Sequence, residues 1–282
     1  MTLADLPTLR AGLAERGLIA DKRFGQHFLL DLNVTRKIAR LAGPLEGAAV
    51  LEIGPGPGGL TRALLEEGAA KVVAVERDRR FIDLLGDVAA AAAGRLVIVE
   101  ADALAVDQAV LMREHAAGLA TCVVANLPYN IATPLLIGWL TGGFRPASMT
   151  LMFQREVADR IAATCGAQAY GRLSVLAQSL TQAEVVMRLP ARAFTPPPKV
   201  DSAVVRLDRH PDGPDPSQTA QLELITRHAF GQRRKMLRSS LKALGGEALL
   251  TAAGVDPNAR AETVTVQQFQ ALAQQLAVRG GV

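Results

Sequence analysis

The sequence predicts an α/β fold, a mostly parallel sheet flanked by helices, followed by a small all-α domain. Three observations carry this. Short apolar runs of strand length alternate with stretches of helical spacing up to about residue 208. A glycine-crowded turn, Gly54-Pro55-Gly56-Pro57-Gly58-Gly59, joins the first such run to a helix, as in strand–loop–helix units that bind a ligand with backbone N–H groups. Beyond His-Pro-Asp-Gly-Pro-Asp-Pro at 210–216, which has the composition of a linker, only helical patterns remain.

A length of 282 residues suits one larger and one smaller domain, and 49% hydrophobic residues supply a core without staples. No run approaches the ~18 apolar residues of a membrane span. The N-terminus is charged and has no signal-peptide core, so the expectation is a cytoplasmic protein. Cys122 and Cys165 lie far apart without metal-ligand spacing and read as small buried hydrophobes, and four scattered histidines imply no metal. A net charge of +4 and a pI near 9.4 permit a polyanionic partner without requiring one.

In chain order, the first 23 residues read as an amphipathic helical stretch with Leu6, Leu9, Leu13 and Leu18 inward, running into Lys22-Arg23. Phe24-Gly25-Gln26-His27-Phe28-Leu29 sets two aromatics around polar groups. Phe28 is expected as a core anchor, with something polar held beside it. A helix through Val34, Ile38 and Leu41 precedes the first strand, Val50–Ile53. Gly54 and Gly56 let the chain double back against a ligand, and Leu60–Leu65 resumes as helix. The second strand, Val72–Val75, ends on Glu76, where a carboxylate accepts from ribose hydroxyls of either a dinucleotide or S-adenosylmethionine. Pro55, Pro57 and Glu52 favour the second.

Arg79–Ala93 reads as a helix and Leu96–Val99 as a third strand leading to Asp102, which either takes the amine of an adenine or caps the next turn. The fourth strand, Thr121–Ala125, delivers Asn126-Leu127-Pro128-Tyr129. Proline stiffens this turn, its acceptors face outward, and Tyr129 adds a flat face. That set suits a planar base bearing an amine. If the Asn126 oxygen and the Leu127 or Pro128 carbonyl accept the two amine hydrogens, the nitrogen is drawn out of conjugation and its lone pair becomes available for alkylation.

Thr133–Leu140 and Glu156–Ala163 read as helices, and Met149–Phe153, Ala183–Leu189 and Ser202–Leu207 as the remaining strands. Between the last two strands, Phe194-Thr195-Pro196-Pro197-Pro198-Lys199 forms a stiff loop. Its Phe194 is expected to be exposed opposite Tyr129 to sandwich a base, the alternative being that it packs under the loop. In the helical domain Leu237, Leu241 and Leu244 form an apolar stripe, and Arg234, Arg238 and Lys242 line an adjoining face with Lys235 beside them. Like charges at this spacing weaken a helix, so the stripe favours a polyanion. Thr265 and Gln268 form a capping box for a last helix with Phe269, Leu272 and Leu276 inward.

Together these stretches resemble the ribosomal RNA adenine dimethyltransferases, specifically the small-subunit group. The likeness runs from Phe24 to about Ala277 and rests on F-G-Q-H-F-L, L-E-I-G-P-G-P-G-G-L-T, N-L-P-Y-N-I-A-T-P, F-T-P-P-P-K-V-D-S-A-V-V-R-L and A-F-G-Q-R-R-K-M-L-R-S-S-L, in that order. The resemblance implies a Rossmann-like class I methyltransferase fold with a seven-stranded sheet at 31–208. A helical arm and cofactor-covering segment would precede it at 1–30, and a linker at 209–216 and a helical RNA-binding domain at 217–282 would follow. It implies S-adenosyl-L-methionine as cofactor, held at His27, Leu29, Gly54, Glu76, Asp102 and Asn126, with asparagine the commoner residue at position 27. The reacting adenosine falls to Asn126, Leu127, Pro128, Tyr129 and Phe194, and RNA to Lys22, Arg23, Arg233, Arg234, Lys235, Arg238 and Lys242. The implied reaction is N6,N6-dimethylation of two adjacent adenosines in the 3′-terminal hairpin loop of small-subunit ribosomal RNA. The expected protein is a monomer acting on an assembling subunit. The rival readings are a large-subunit methyltransferase of the macrolide-resistance type, an assembly or transcription scaffold with secondary catalysis, and an NAD-dependent oxidoreductase, which N-L-P-Y argues against.

Overall fold

The computed structural model describes residues 2–20 and 25–280; Lys22, Arg23 and Phe24 lie outside the described residues. The chain divides into two compact units, one of Met1–Trp139, Gly143–Ala158 and Val185–Arg206, the other of Leu140–Gly142, Asp159–Glu184 and Leu207–Val282. The second unit therefore takes in 159–184 as well as the stretch beyond the linker. That segment supplies a helix whose residues are buried nearly all round, so periodicity alone could not assign it to either unit.

The elements run α1 (Leu9–Glu15), β1 (Phe28–Leu29), α2 (Leu32–Leu41), β2 (Ala48–Ile53), α3 (Gly59–Glu66), β3 (Lys71–Glu76), α4 (Ile82–Ala91) and β4 (Leu96–Glu100). Then come α5 (Gln108–Ala116), β5 (Ala120–Ala125), α6 (Tyr129–Thr141), β6 (Ser148–Gln154), α7 (Arg155–Ile161) and α8 (Arg172–Leu180). After these follow β7 (Thr181–Leu189), β8 (Phe194–Thr195) and β9 (Ser202–Arg209), and the chain finishes with α9 (Pro216–Gly231), α10 (Leu237–Ser240), α11 (Gly246–Ala252) and α12 (Val266–Gly280). Seven strands form one sheet in the order β4-β3-β2-β5-β6-β9-β7. The seven expected strands are all present, whereas α5 and α8 were not anticipated.

The strands β4, β3, β2, β5 and β6 pair in parallel. Buried almost throughout, β2 and β3 read as continuous apolar runs, as strands covered on both faces must. The chain steps outward from β2 to β3 and β4, then returns to place β5 on the other side of β2. This reversal creates a crevice at the carboxyl ends of the strands, the place where open parallel sheets bind ligands. Parallel pairing therefore delivers Gly54, Glu76, Asp102 and Asn126 to one edge of the sheet.

The N-terminal stretch is helical for less of its length than expected. Pro7 lacks an N–H, and Thr8 caps α1 by accepting from the Ala11 N–H at 3.2 Å. The inward leucines behave as their spacing implies: Leu9 and Leu13 are buried, and Leu6 and Leu18 pack against apolar clusters. Arg62 of α3 donates to the Pro7 carbonyl at 2.7 Å, tying this segment to the helix that follows the glycine turn.

In the second unit, Tyr170 donates to the Val264 carbonyl at 2.9 Å, and the Phe230 and Phe269 rings stack at 5.6 Å. The expected capping box is present: the Gln268 N–H reaches Thr265 Oγ1 at 3.2 Å, and the Thr265 N–H reaches Gln268 Oε1 at 2.9 Å. The expected continuous basic helix is not. The chain leaves α9 at Gly231, turns through 232–235, bridges Met236 to Arg260, and only then forms the single turn of α10. Long-range backbone bonds from Leu237 to Ala259 and from Arg238 to Pro257 override the local leucine periodicity. No described helix is long and apolar enough to cross a membrane.

Candidate active site

The turn after β2 is built by three glycines, Gly54, Gly56 and Gly58, at φ +66°, +52° and +80°, a region closed to residues with a Cβ except at a cost. The Gly54 N–H donates to the Val75 carbonyl at 2.9 Å, and the Gly56 N–H to Glu76 Oε2 at 3.0 Å. A Cβ at Gly56 would stand 3.2 Å from the Phe28 ring, and one at Gly54 3.4 Å from Pro128. The turn thus lies beside both the F-G-Q-H-F-L segment and the N-L-P-Y turn, and the three line one cleft.

Glu76 stands 6% exposed at the end of β3. Its Oε1 accepts from the N–H groups of Arg77 and Asp78, both at 2.8 Å, and its Oε2 from Gly56. Burial raises its pKa and those three N–H groups oppose the rise. A carboxylate has about four acceptor positions, so Oε2 keeps capacity for about one further donor. Behind it Glu52, 1% exposed, accepts from the Thr61 hydroxyl at 2.7 Å and is pushed up to about 8, chiefly by burial.

Asp102 does cap its turn, accepting from the Leu104 N–H at 2.9 Å through Oδ1. Its Oδ2 pairs with the Arg77 guanidinium at 3.0 Å, and the residue still lines the cleft. Gln26 explains the polar character of its segment by donating to Asp78 Oδ2 at 2.8 Å. Arg80 is the main cause holding the Asp78 carboxyl below its ordinary range.

At the end of β5, the Asn126 side-chain amide donates to the His27 carbonyl at 3.3 Å, which turns its Oδ1 the other way. The His27 ring stacks on Tyr129 at 5.8 Å, and its Nδ1 bonds the Pro196 carbonyl at 2.8 Å, so the proton sits on Nδ1. The Tyr129 hydroxyl shares a 2.6 Å bond with the buried Ser202. Burial raises the Tyr129 pKa, so it stays a neutral phenol.

Phe194 departs from the sequence expectation. It pairs with Leu29 in the two-stranded β1·β8 ribbon and is 3% exposed within the apolar cluster that holds Leu29. The ring packs under the loop because the ribbon turns it inward, so it offers no outward face opposite Tyr129. Cys122 is buried as expected, whereas Cys165 is exposed.

Among the expected RNA contacts, Arg233, Arg234, Lys235, Arg238 and Lys242 are all exposed. Arg233 also donates to the Gln168 carbonyl at 3.1 Å. Sequence reasoning missed Arg77, Thr61, Ser202 and Gln108. Thr61 closes the L-T of the glycine motif and was within reach, while the other three act through partners 25 or more positions away. No group of three metal-ligating side chains occurs among the described residues.

The sequence profile of the family described as "Ribosomal RNA adenine dimethylase" matches residues 18–277. A "Ribosomal RNA small subunit methyltransferase A" of Phenylobacterium zucineum is 62% identical over 97% of this chain and 94% of its own. The protein of the same name from Caulobacter vibrioides is 63% identical over 91% and 97%. Among solved structures, the 23S rRNA methyltransferase ErmE superposes with a TM-score of 0.68 at 28% identity, covering 88% of this chain and 99% of that one. A dimethyladenosine transferase from Plasmodium falciparum gives 0.72 at 23% identity over 90% and 98%, which shows the shared fold.

Proposed function

Because the chain belongs to the ribosomal RNA adenine dimethylase family, we propose that it dimethylates the N6 amines of two adjacent adenosines in the 3′-terminal hairpin loop of small-subunit ribosomal RNA. The small-subunit choice is supported by relatives of that name at 62% and 63% identity, against 28% for a large-subunit enzyme. S-adenosylmethionine, the cofactor used by this family, fits the residues present. The glycine turn leaves open what a Cβ would fill, Glu76 Oε2 keeps an acceptor position for a ribose hydroxyl, and Asp102 lies in the same cleft to accept from the adenine amine. His27, Leu29, Gly54 and Asn126 line the same cleft and would complete the set, Gly54 toward the methionyl end. When bound, this cofactor supplies an electrophilic methyl group on a sulfonium.

The observation that carries the reading is the Asn126–His27 bond. A carbonyl only accepts, so the Asn126 amide can make this bond in one orientation, which presents Oδ1 as an acceptor. Oδ1 and the Leu127 or Pro128 carbonyl then take the two N6 hydrogens, pyramidalise the nitrogen and aim its lone pair. In the second transfer to the same nitrogen one hydrogen remains to be held. The displaced proton passes to water. Tyr129, its ring plane fixed by Ser202 and one side covered by His27, stacks the base on its remaining face at about 1–3 kcal/mol.

The exposed Arg233, Arg234, Lys235, Arg238 and Lys242 hold RNA phosphates, with Lys22 and Arg23 as a further basic arm. The chain acts as a monomer on an assembling subunit in the cytoplasm. Comparing dimethyladenosine in small-subunit ribosomal RNA from cells with and without this protein tests the reading; an unchanged level overturns it.

A further inference from the structure

The loop that carries Asp102 is held to helix α6 by one buried side chain, that of Gln108. Gln108 is the first residue of α5, behind its cap Asp107, whose Oδ1 accepts from the Val110 N–H at 3.0 Å. Its side chain, in a residue 8% exposed, turns back from the helix. Nε2 donates to the Ala103 carbonyl at 2.8 Å, and Oε1 accepts from the indole N–H of Trp139. Trp139 is 2% exposed and lies ten positions beyond Tyr129 on α6, about 15 Å along the axis.

The bonds inside the loop are local. The Asp102 carbonyl accepts from Ala105 and Val106, both at 3.0 Å, and Oδ1 from Leu104. They shape the turn, and its position is set by bonds to neighbouring elements, among them the 3.0 Å ion pair of Asp102 Oδ2 with Arg77. The Ala101 N–H to the Glu76 carbonyl, at 3.0 Å, anchors its start. Gln108 anchors the residue on the other side of Asp102. Its amide has no alternative orientation, because an indole N–H only donates and a peptide carbonyl only accepts, and a flip would lose both bonds in a buried place.

We propose that Gln108 is a positioning residue that fixes the Asp102 loop against α6 and so sets the selectivity for an amine on the cofactor's base. The inference rests on the reading of Asp102 as acceptor from that amine. A carboxylate held in place gains a hydrogen bond from an amino group and repels the oxygen that replaces it in the deaminated base. A carboxylate free to shift discriminates less.

The test is calorimetric binding of S-adenosylhomocysteine and of S-inosylhomocysteine to the full chain. Wild type should prefer the adenosyl ligand. Gln108→Leu removes both bonds, and Gln108→Glu keeps an acceptor for the indole while setting a charge against the Ala103 carbonyl. Both should lower the adenosyl-to-inosyl preference by about three- to tenfold, the size expected for one hydrogen bond, with the adenosyl affinity falling and the inosyl affinity unmoved or raised. Trp139 is the only tryptophan, so its emission should shift in Gln108→Leu and less in Gln108→Glu. Should Gln108→Leu fail to fold, Gln108→Glu and Trp139→Phe carry the test. Folded variants that lose affinity for both ligands alike, or for neither, overturn the positioning role. Asp102→Ala separates the two readings. If that variant keeps the wild-type preference, the Asp102 assignment falls and this inference with it. If it abolishes the preference while the Gln108 variants keep it, only the inference about Gln108 falls.

Discussion

Asn126 and His27, 99 positions apart, meet through one bond from the asparagine amide to the histidine carbonyl at 3.3 Å. That bond joins the turn after β5 to the segment before β1 and leaves the asparagine oxygen as an oriented acceptor. Asn126→Ala should therefore slow single-turnover methyl transfer by ~2.7–4 kcal/mol of barrier, about a hundred- to a thousandfold, by analogy with the loss of an oxyanion donor. RNA affinity should fall far less. Rapid-quench kinetics with saturating cofactor measures both, and an undiminished rate removes Asn126 from the chemistry.

Glu76 has a structural task and a proposed one. Its carboxylate gathers the N–H groups of Gly56, Arg77 and Asp78 and, in the proposed reading, takes a ribose hydroxyl at its remaining position. Glu76→Ala should weaken S-adenosylmethionine binding at least about tenfold, as expected for a charge-assisted bond, and also lower stability by ~1–3 kcal/mol because buried donors lose their acceptor. Calorimetry and denaturant titration read the two effects separately. Unchanged affinity in a destabilised variant would leave Glu76 a structural residue only.

The buried Glu52 makes stability depend on pH. Pushed up to about 8 from an ordinary 4.5, chiefly by burial, with Thr61 opposing and the Glu76 charge adding, it holds its proton in the folded protein where the unfolded chain has lost it. Folding takes up a proton between those values. Its contribution is thus fully present below the unfolded pKa and is lost as pH rises through the folded one. Glu76 shifts in the same direction. Thermal melts should show a Tm that falls from about pH 5 to about pH 9, and a smaller fall in Glu52→Gln. An equal slope in that variant would contradict the assignment.

Arg234 and Lys235 sit in the turn after α9, and Arg238 follows on α10, all exposed. Losing the continuous helix changes their spacing and leaves their charge available to phosphate. Changing the three to glutamine should flatten the log–log salt dependence of RNA binding by roughly two to three units, with cofactor affinity unmoved. A wild-type slope would place the RNA grip elsewhere.

The parts of this fold legible in the sequence were those set by local chemistry. Strand runs covered on both faces, the glycine turn and the residues just past β2, β3, β4 and β5 sit where the pattern put them, because parallel pairing of β2 to β6 brings the carboxyl ends of those strands to one edge. The rest depended on partners the local pattern cannot name. Phe194 is turned inward by pairing with Leu29, from which it is separated by most of the chain. The basic stripe breaks because Leu237 and Arg238 bond to Ala259 and Pro257. Gln108 gains its meaning from Trp139, and Arg77 from Asp102.

The most direct measurement incubates the purified chain with S-adenosylmethionine and small ribosomal subunits that lack the modification, then maps the RNA by mass spectrometry. Two adjacent N6,N6-dimethyladenosines near the 3′ end are expected with the wild-type chain, and their loss with Asn126→Ala. No methylation at all, methylation only at other positions, or dimethylation undiminished in Asn126→Ala would contradict the assignment.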